Sequence, residues 1–556
     1  MTYVITQNCC KDASCISVCP VDCIRPDRDV HESGLQMLYI DPDTCVDCGA
    51  CEVECPVDAI YYEDDLPPEQ VRYGDINADY FRRHPLDAKP SLNSRERDSV
   101  DPGSLRIAIV GAGPAACYAA ADLLDIEGTE ISIFDSLPTP FGLIRAGVAP
   151  DHQRTKGIID LLGSALANPR VRCHFNVEVG RDVTPDELLA HHHAVIYGVG
   201  ASKSRRLGIP GEELNGSVAA ADFVAWYNGH PDHSDAQFDL SCQRAVVIGN
   251  GNVALDIARI LLASDEDLTA TDVADHALSA LSSSMIEEVV ILGRRTPRHA
   301  AFSAAEFLAL GYLPGVDVVI ESDDLAPDSG DDDETALKLQ LAREYVARTV
   351  TPGNKRIVFR FMTSPVEMSG AGRVEALYTT SNTFDETGTL ISGDRSESHT
   401  IETGLVLRSI GYHGTPIAGV PFDADAGRIP NVHGRVHDEC GTALPGVYVT
   451  GWVKRGPRGV IGTNRACARE TVAALWEDYQ AGVLSKDVPH HHQMPQVLEQ
   501  RGVQVVDWKG WRAIDAAERA GGADIGRPRV KLVDRRRMLS VAQASQASGR
   551  TCFPTE

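Results

Sequence analysis

Long apolar runs are missing from this 556-residue chain, and none approaches the roughly eighteen residues of a membrane-spanning helix. Positive charge is scarce: 52 lysines and arginines face 79 aspartates and glutamates, a formal net charge of −27. Such a surface repels phosphate backbones and anionic headgroups, so neither nucleic acid nor membrane is an expected partner. The first twenty residues carry one lysine and several cysteines rather than a basic, apolar leader. A soluble, cytoplasmic protein is expected.

What is present is unevenly placed. Residues 1–90 hold 18 acidic and 7 basic residues, a net of −11, which suits a basic partner but is equally well explained by solvation. Nine of the fifteen cysteines fall within the first 55 residues. Clustering of this kind points to metal in a reducing compartment rather than to disulfides. Cys117, Cys173, Cys242, Cys440, Cys467 and Cys552 are scattered singly and read as core or surface residues.

The densest stretch is Cys45-Val-Asp-Cys48-Gly-Ala-Cys51-Glu-Val-Glu-Cys55-Pro56. Its C-x2-C-x2-C-x3-C-P spacing is the one bacterial ferredoxins use for iron–sulfur clusters. Three close thiolates reach one cubane only if the backbone curls around it, and Gly49 permits that curl. Zinc is the competing reading, but zinc modules usually pair two C-x2-C knuckles. Residues 1–66 also repeat: Cys19-Pro-Val-Asp-Cys-Ile24 echoes Cys55-Pro-Val-Asp-Ala-Ile60. Each half should form a strand, a ligand loop and a short helix. The register groups Cys45, Cys48, Cys51 and the crossing Cys19 around a [4Fe–4S] cluster and leaves Cys23, the counterpart of Ala59, without a ligand role. Cys9, Cys15 and the crossing Cys55 supply three thiolates, with Asp12 where a middle cysteine would stand. Three thiolates suit [3Fe–4S]; Asp12 or Cys10 as an extra ligand would allow [4Fe–4S]. This half resembles the seven-iron ferredoxins, although their first gap is usually longer.

Residues 67–103, with Pro67, Pro68, Pro85 and Pro90, read as a linker in which Tyr73, Tyr80 and Phe81 offer apolar handles. At Leu105 the chemistry changes. A buried parallel strand is followed by Gly111-Ala-Gly113-Pro-Ala115, a helix, and a second strand ending at Asp135. Amides at such a turn approach a pyrophosphate, and the acid accepts from a ribose hydroxyl. A second unit has Gly249-Asn-Gly251-Asn252-Val253-Ala254 as its turn, and its next strand ends in Gly293-Arg294-Arg295. Two arginines in place of the carboxylate suit a 2′-phosphate, hence NADP. Residues 322–336 are a charged surface insertion. Near the end, Gly451-Trp452 and Gly459-Val460-Ile461-Gly462 precede another helix and fit the flavin end of a cofactor.

From Leu105 to about residue 480 the chain resembles the adrenodoxin reductase branch of ferredoxin–NADP reductases. The resemblance rests on Thr139-Pro-Phe-Gly-Leu143, Gly147-Val-Ala-Pro-Asp-His152, Ile209-Pro-Gly-Glu-Glu-Leu214, Gly249 to Arg259, Gly293-Arg-Arg295 and Gly451 to Pro457. With the cysteine-rich head, the layout is similar to the actinobacterial ferredoxin/ferredoxin–NADP reductase fusions. The resemblance implies an α/β fold with two Rossmann-type, glutathione reductase-like domains, for FAD and NADP, plus an α+β bis-cluster ferredoxin domain. The expected divisions are ferredoxin 1–66, linker 67–103, FAD domain 104–203 and 405–484, NADP domain 204–404, and a C-terminal extension 485–556. It further implies that Ala115, Asp135, Leu143, Val179, Trp452 and Gly459 to Ile461 line FAD. Arg205, the Gly251 to Ala254 turn, Arg294, Arg295 and Glu306 would touch NADP. His152 and Glu306 match residues near the flavin–nicotinamide meeting point, although Ala-Phe-Ser-Ala-Ala before Glu306 departs from the family's usual threonine and lysine. The implied activity is NADPH oxidation through FAD, with single electrons passing to the clusters and then to a ferredoxin, cytochrome or monooxygenase; reverse flow would use the same residues. A flavin disulfide reductase shares this plan but needs a reactive cysteine pair, and Cys117 stands alone after its turn. A redox-sensing module is the non-enzymatic alternative.

Overall fold

The apolar run before the first glycine turn becomes the strand Arg106–Val110, buried at every position. Covered faces on both sides explain why it reads as a run rather than an alternation. The computed structural model describes residues 2–26, 37–86, 97–322, 324–485, 488 and 493–548. Cys552, Pro90 and residues 91–96 of the expected linker lie outside these.

Arg106–Val110 sits in a seven-stranded sheet, parallel to Ala194–Tyr197 on one side and Glu130–Asp135 on the other. Ala443–Val449, from far along the chain, joins the same sheet parallel to Ala194–Tyr197. One sheet is thus assembled from two distant segments. Between them lies a six-stranded parallel sheet ordered Ser217–Ala219, Leu405–Arg408, Arg244–Ile248, Glu288–Leu292, Lys355–Arg360, Val316–Glu321. Leu405–Arg408 pairs with Arg244–Ile248 inside this sheet, so the chain leaves the domain after residue 408 rather than at 404. Its buried Leu-Val-Leu run needs cover on both faces, which this position supplies.

The head shows the expected pseudo-twofold. Tyr3–Ile5 pairs antiparallel with Ile60–Tyr62, and Ile24–Arg25 with Tyr39–Ile40. The short helices Ser14–Val18 and Ala50–Val53 follow the two cysteine loops. The segment expected to be a linker differs, because Arg72–Arg83 is a helix. Tyr73, Asn77 and Phe81 fall on one face at helical spacing and are buried. Tyr80 stacks on Tyr39 with centroids 4.3 Å apart. Asn77 accepts from Ile40 N and donates to Ile5 O, each at 2.9 Å, so this helix completes the head. Its outer side reaches the second dinucleotide domain through Arg72–Glu344 at 2.7 Å and His84–Asp333 at 2.6 Å. Such partly exposed pairs contribute little; Tyr73 and Phe81 belong to the same buried apolar cluster as Ala304 and Phe307 of that domain.

The C-terminal extension is also packed. Val506 bridges Phe175 at the edge of the seven-stranded sheet. The helix Trp508–Ala523, capped by Asp507, sets Trp511 edge-on against Phe141 at 5.9 Å. Among the described residues no helix is long and apolar enough to cross a membrane.

Candidate redox centres

The first glycine turn is shaped for close backbone approach. Gly111 has φ +99°, and a Cβ there would meet Gly198 O at 2.6 Å. Gly113 opens the helix Pro114–Leu124, whose N-terminal amides form a ready anion site. Asp135 accepts from Ala112 N at 2.7 Å and Leu137 N at 2.8 Å. Burial pushes its carboxyl up to about 6, against these two amides. Each carboxylate oxygen keeps a second lone pair for a ribose hydroxyl. The distant segment meets this turn: a Cβ on Gly451 would lie 2.6 Å from Ala115 Cβ, so Trp452 follows directly beside it. Leu143 comes just after Gly142, where a Cβ would sit 3.1 Å from Gly113 Cα. Gly459 has φ +85°, and the next amide, Val460 N, donates to Thr463 Oγ1 at 3.1 Å. Val179 packs on a different cluster, with Val110 and Phe134. These groups fit a flavin dinucleotide laid along the carboxyl ends of the strands.

The second turn repeats the geometry. Gly249 has φ +109°, and a Cβ would clash with Ser409 O at 2.1 Å. Gly251 caps the helix Asn252–Leu262, placing Val253 and Ala254 in its first turn. Asn252 Oδ1 accepts from Ser303 N at 2.8 Å and ties this turn to the helix carrying Glu306. Arg294 and Arg295 are exposed just past the strand Glu288–Leu292. Arg205 N donates to Gly411 O at 3.1 Å, at the crossing between the domains.

Between the turns lies a charged knot centred on Arg259. Its guanidinium donates to Asp151 Oδ2 at 2.8 Å, Asp256 Oδ1 at 2.8 Å and Glu306 Oε2 at 3.2 Å. It also donates to His152 Nε2 at 2.8 Å. A guanidinium only donates, so Nε2 is the unprotonated nitrogen. Burial opposes ionisation of Asp151, but Arg259 outweighs it and holds the carboxyl well below the usual range. Burial pushes Asp256 up. His152, Asp256 and Glu306 have ligand atoms within 4.8 Å of one another, yet Arg259 already bonds all three. A metal there would face that cation.

In the head, Cys19, Cys45, Cys48 and Cys51 line one recess of about 280 Å³. Cys23 lines it too, with its Sγ 3.5 Å from Cys19 Sγ. The repeat is visible in the hydrogen bonds: Cys23 N donates to Cys19 Sγ at 3.4 Å and Ala59 N to Cys55 Sγ at 3.2 Å. A hydrogen bond from Cys23 draws Cys19 down, whereas burial pushes Cys51 up to about 12. Burial likewise raises Cys9 to about 11 and lifts Cys15 well above the thiol range, with Cys55 nearby. So many buried thiols ionise together only against a compensating cation, which an iron–sulfur core supplies. All described cysteines are free thiols. Asp12 turns elsewhere: its Oδ2 accepts from Tyr118 Oη at 2.6 Å and its Oδ1 from Arg465 Nη1 at 3.2 Å. Cys10 belongs to the apolar cluster of Ala59, Ala116 and Tyr118.

The three parts meet. A recess of about 490 Å³ is lined by Gln7 and Cys9 of the head, Asn252 and Glu306 of the second domain, and Val460 of the distant segment.

Comparison with known proteins agrees with this assembly. Residues 38–61 match the 4Fe-4S binding domain and residues 105–291 the pyridine nucleotide-disulphide oxidoreductase family. The probable ferredoxin/ferredoxin–NADP reductase of Mycobacterium tuberculosis is 44% identical over 568 residues, covering 98% of this chain and 96% of its own. The chain belongs to the ferredoxin/ferredoxin–NADP reductase family. NADPH-ferredoxin reductase FprA of M. tuberculosis is 45% identical over 453 residues, covering 78% of this chain and 98% of its own. The solved structure of that protein with NADPH superposes at TM-score 0.74, with 44% identity over 79% of this chain and 99% of that one.

Family resemblance singled out His152 and Glu306 but not Arg259, Asp151 or Gln7. Arg259 ends the matched Gly249 to Arg259 stretch, and a buried arginine on an apolar helix face was its available signal. For Gln7 and the Asp12 contacts no local signal exists, because their partners are hundreds of residues away, or more than a hundred.

Proposed function

We propose that the chain oxidises NADPH at the His152–Glu306 site and passes electrons into its own ferredoxin head. The shared recess carries this reading: Cys9, Asn252, Glu306 and Val460 line one cavity at the junction of the three parts. Arg294 and Arg295 hold the 2′-phosphate, and the Gly251 to Ala254 turn binds the pyrophosphate through backbone amides. Asp135 and the Gly111–Gly113 turn hold the FAD ribose and pyrophosphate, while Leu143, Val179, Trp452 and Gly459 to Ile461 border it. Arg259 fixes His152 as a hydrogen-bond acceptor and holds Glu306 beside it. Bound FAD and the clusters supply the conversion of a two-electron donor into single-electron transfers.

The head holds one [4Fe–4S] centre on Cys19, Cys45, Cys48 and Cys51, and one [3Fe–4S] centre on Cys9, Cys15 and Cys55. The outer acceptor is a ferredoxin, a cytochrome or a monooxygenase, and the free thiols suit a cytoplasmic setting. Cys117 and Cys173 are buried and pushed up by burial, unlike the reactive pair of a disulfide reductase.

Comparison of the full chain with residues 104–556 tests this. The shorter protein should still reduce ferricyanide with NADPH but lose most cytochrome c reduction. Equal cytochrome c reduction by both would refute transfer through the head.

A further inference from the structure

The loop between Cys9 and Cys15 is bonded to both helices that begin at the flavin-side glycine turns. Asp12, whose side chain is 3% exposed, accepts from Tyr118 on the helix Pro114–Leu124 and from Arg465 on the helix Thr463–Gln480. Arg465 Nη1 also donates to Asp12 O at 2.7 Å and to Ser14 Oγ at 3.3 Å. Ser14 N and Oγ donate to the same carboxylate, N at 3.2 Å. Beside them, Gly462 N donates to Cys10 O at 2.8 Å. A Cβ on Gly462 would lie 1.9 Å from Lys11 O, so the loop rests directly on backbone. Burial, reinforced by the carboxylate, keeps the Tyr118 hydroxyl protonated and able to donate.

We propose that Asp12 is a positioning residue that clasps the Cys9–Cys15 loop to the two flavin-side helices and thereby sets electron hand-over from reductase to head. It occupies the sequence position of a cluster ligand, but both carboxylate oxygens are engaged by the reductase part and by Ser14. A buried carboxylate held by a guanidinium, a phenol and an amide is fixed in place, and loosening it displaces the loop. The inference rests on the reading that electrons pass from the flavin side into the head.

The test uses full-length holoprotein with Asp12→Ala, Asp12→Asn and Tyr118→Phe. Cluster reduction after mixing with NADPH should slow severalfold in Asp12→Ala, because electron transfer weakens as the loop and its cluster shift from the flavin-side helices. Asp12→Asn keeps an acceptor and should recover most of the rate, with Tyr118→Phe in between. NADPH-dependent ferricyanide reduction, iron content and the electron paramagnetic resonance (EPR) spectrum should stay those of wild type. Unchanged cluster reduction in Asp12→Ala overturns the clasp. So does a changed iron content or EPR spectrum in Asp12→Asn but not Tyr118→Phe, which would make Asp12 a ligand. If wild-type clusters are not reduced by NADPH, the functional reading fails separately. Hydrogen exchange of the 10–16 amides then decides: faster exchange in Asp12→Ala supports the clasp, and unchanged exchange overturns it.

Discussion

Gln7 Nε2 donates to Glu306 Oε2 at 3.3 Å, joining residues 299 positions apart. The same oxygen accepts from Arg259 and lies 3.7 Å from His152 Nε2. The head therefore reaches into the charged knot between the dinucleotide turns. Tyr73 Oη, 3.5 Å from Ala305 O, supports the same helix start from the head side.

Removing that contact should affect catalysis at the flavin itself. Gln7→Ala should lower kcat/KM for NADPH with ferricyanide about fivefold, the equivalent of roughly one kcal/mol for a lost hydrogen bond. Iron content should not change. An unaltered kcat/KM would make Gln7 a bystander.

Nucleotide preference should follow Arg294 and Arg295. Changing both to alanine removes charged hydrogen bonds worth about 1.5–3 kcal/mol each, and only NADPH carries the phosphate that accepts them. The ratio of kcat/KM for NADPH over NADH should collapse, whereas an unchanged ratio would remove both residues from the phosphate site.

Stability in acid should depend on Asp272. It pairs with Lys156 Nζ at 2.6 Å and Lys531 Nζ at 3.1 Å, all three buried. Burial opposes ionisation, but the two lysines hold its carboxyl well below the ordinary range. A lowered folded pKa stabilises fully above the unfolded value of about 4, and the stabilisation is lost as pH falls through the folded one. Asp272→Asn should cost about 3–5 kcal/mol at neutral pH, because the buried lysine pair loses its counter-charge; burial already pushes Lys156 down and Lys531 well down, so the cost falls mainly on Lys156. Thermal unfolding of wild type should fall steeply below about pH 4, and that of the variant less so.

What the sequence discloses and what it conceals divide along contact range. The glycine turns, Asp135 and the cysteine repeat are local patterns with fixed offsets, and each is legible because backbone geometry demands it. The helix Arg72–Arg83 also left a local trace in Tyr73, Asn77, Tyr80 and Phe81, hidden by the prolines around it. Leu405–Arg408 looks like any buried strand, and only its neighbours assign it to a sheet. Asp12 shows the limit most clearly. Its spacing from Cys9 suggests iron, while its hydrogen bonds lead to Tyr118, 106 positions on, and Arg465, 453 positions on.

The two centres of the head should differ in iron content, and the difference should resist the obvious repair. In the proposed assignment Cys9, Cys15 and Cys55 would give three soft ligands, and Cys19, Cys45, Cys48 and Cys51 four. Protein purified in air should show the near-isotropic EPR signal of an oxidised three-iron centre and contain about seven irons per chain. Sequence position alone makes Asp12→Cys the route to a fourth iron at the first site. With the side chain at 12 aimed at Tyr118 and Arg465, a thiol there would face the reductase, and the three-iron signal should persist. Cys23→Ala should also leave both centres intact: it keeps the backbone amide bond to Cys19 Sγ, the counterpart of the Ala59 amide bond to Cys55 Sγ, and loses only the Cys23 Sγ contact with Cys19 Sγ, a contact Ala59 lacks in the other half. Cys23 does line the recess with Cys19, Cys45, Cys48 and Cys51, so this variant is the sharper trial. Loss of the four-iron centre in Cys23→Ala would make Cys23 a ligand and break the register by which every other cysteine was assigned.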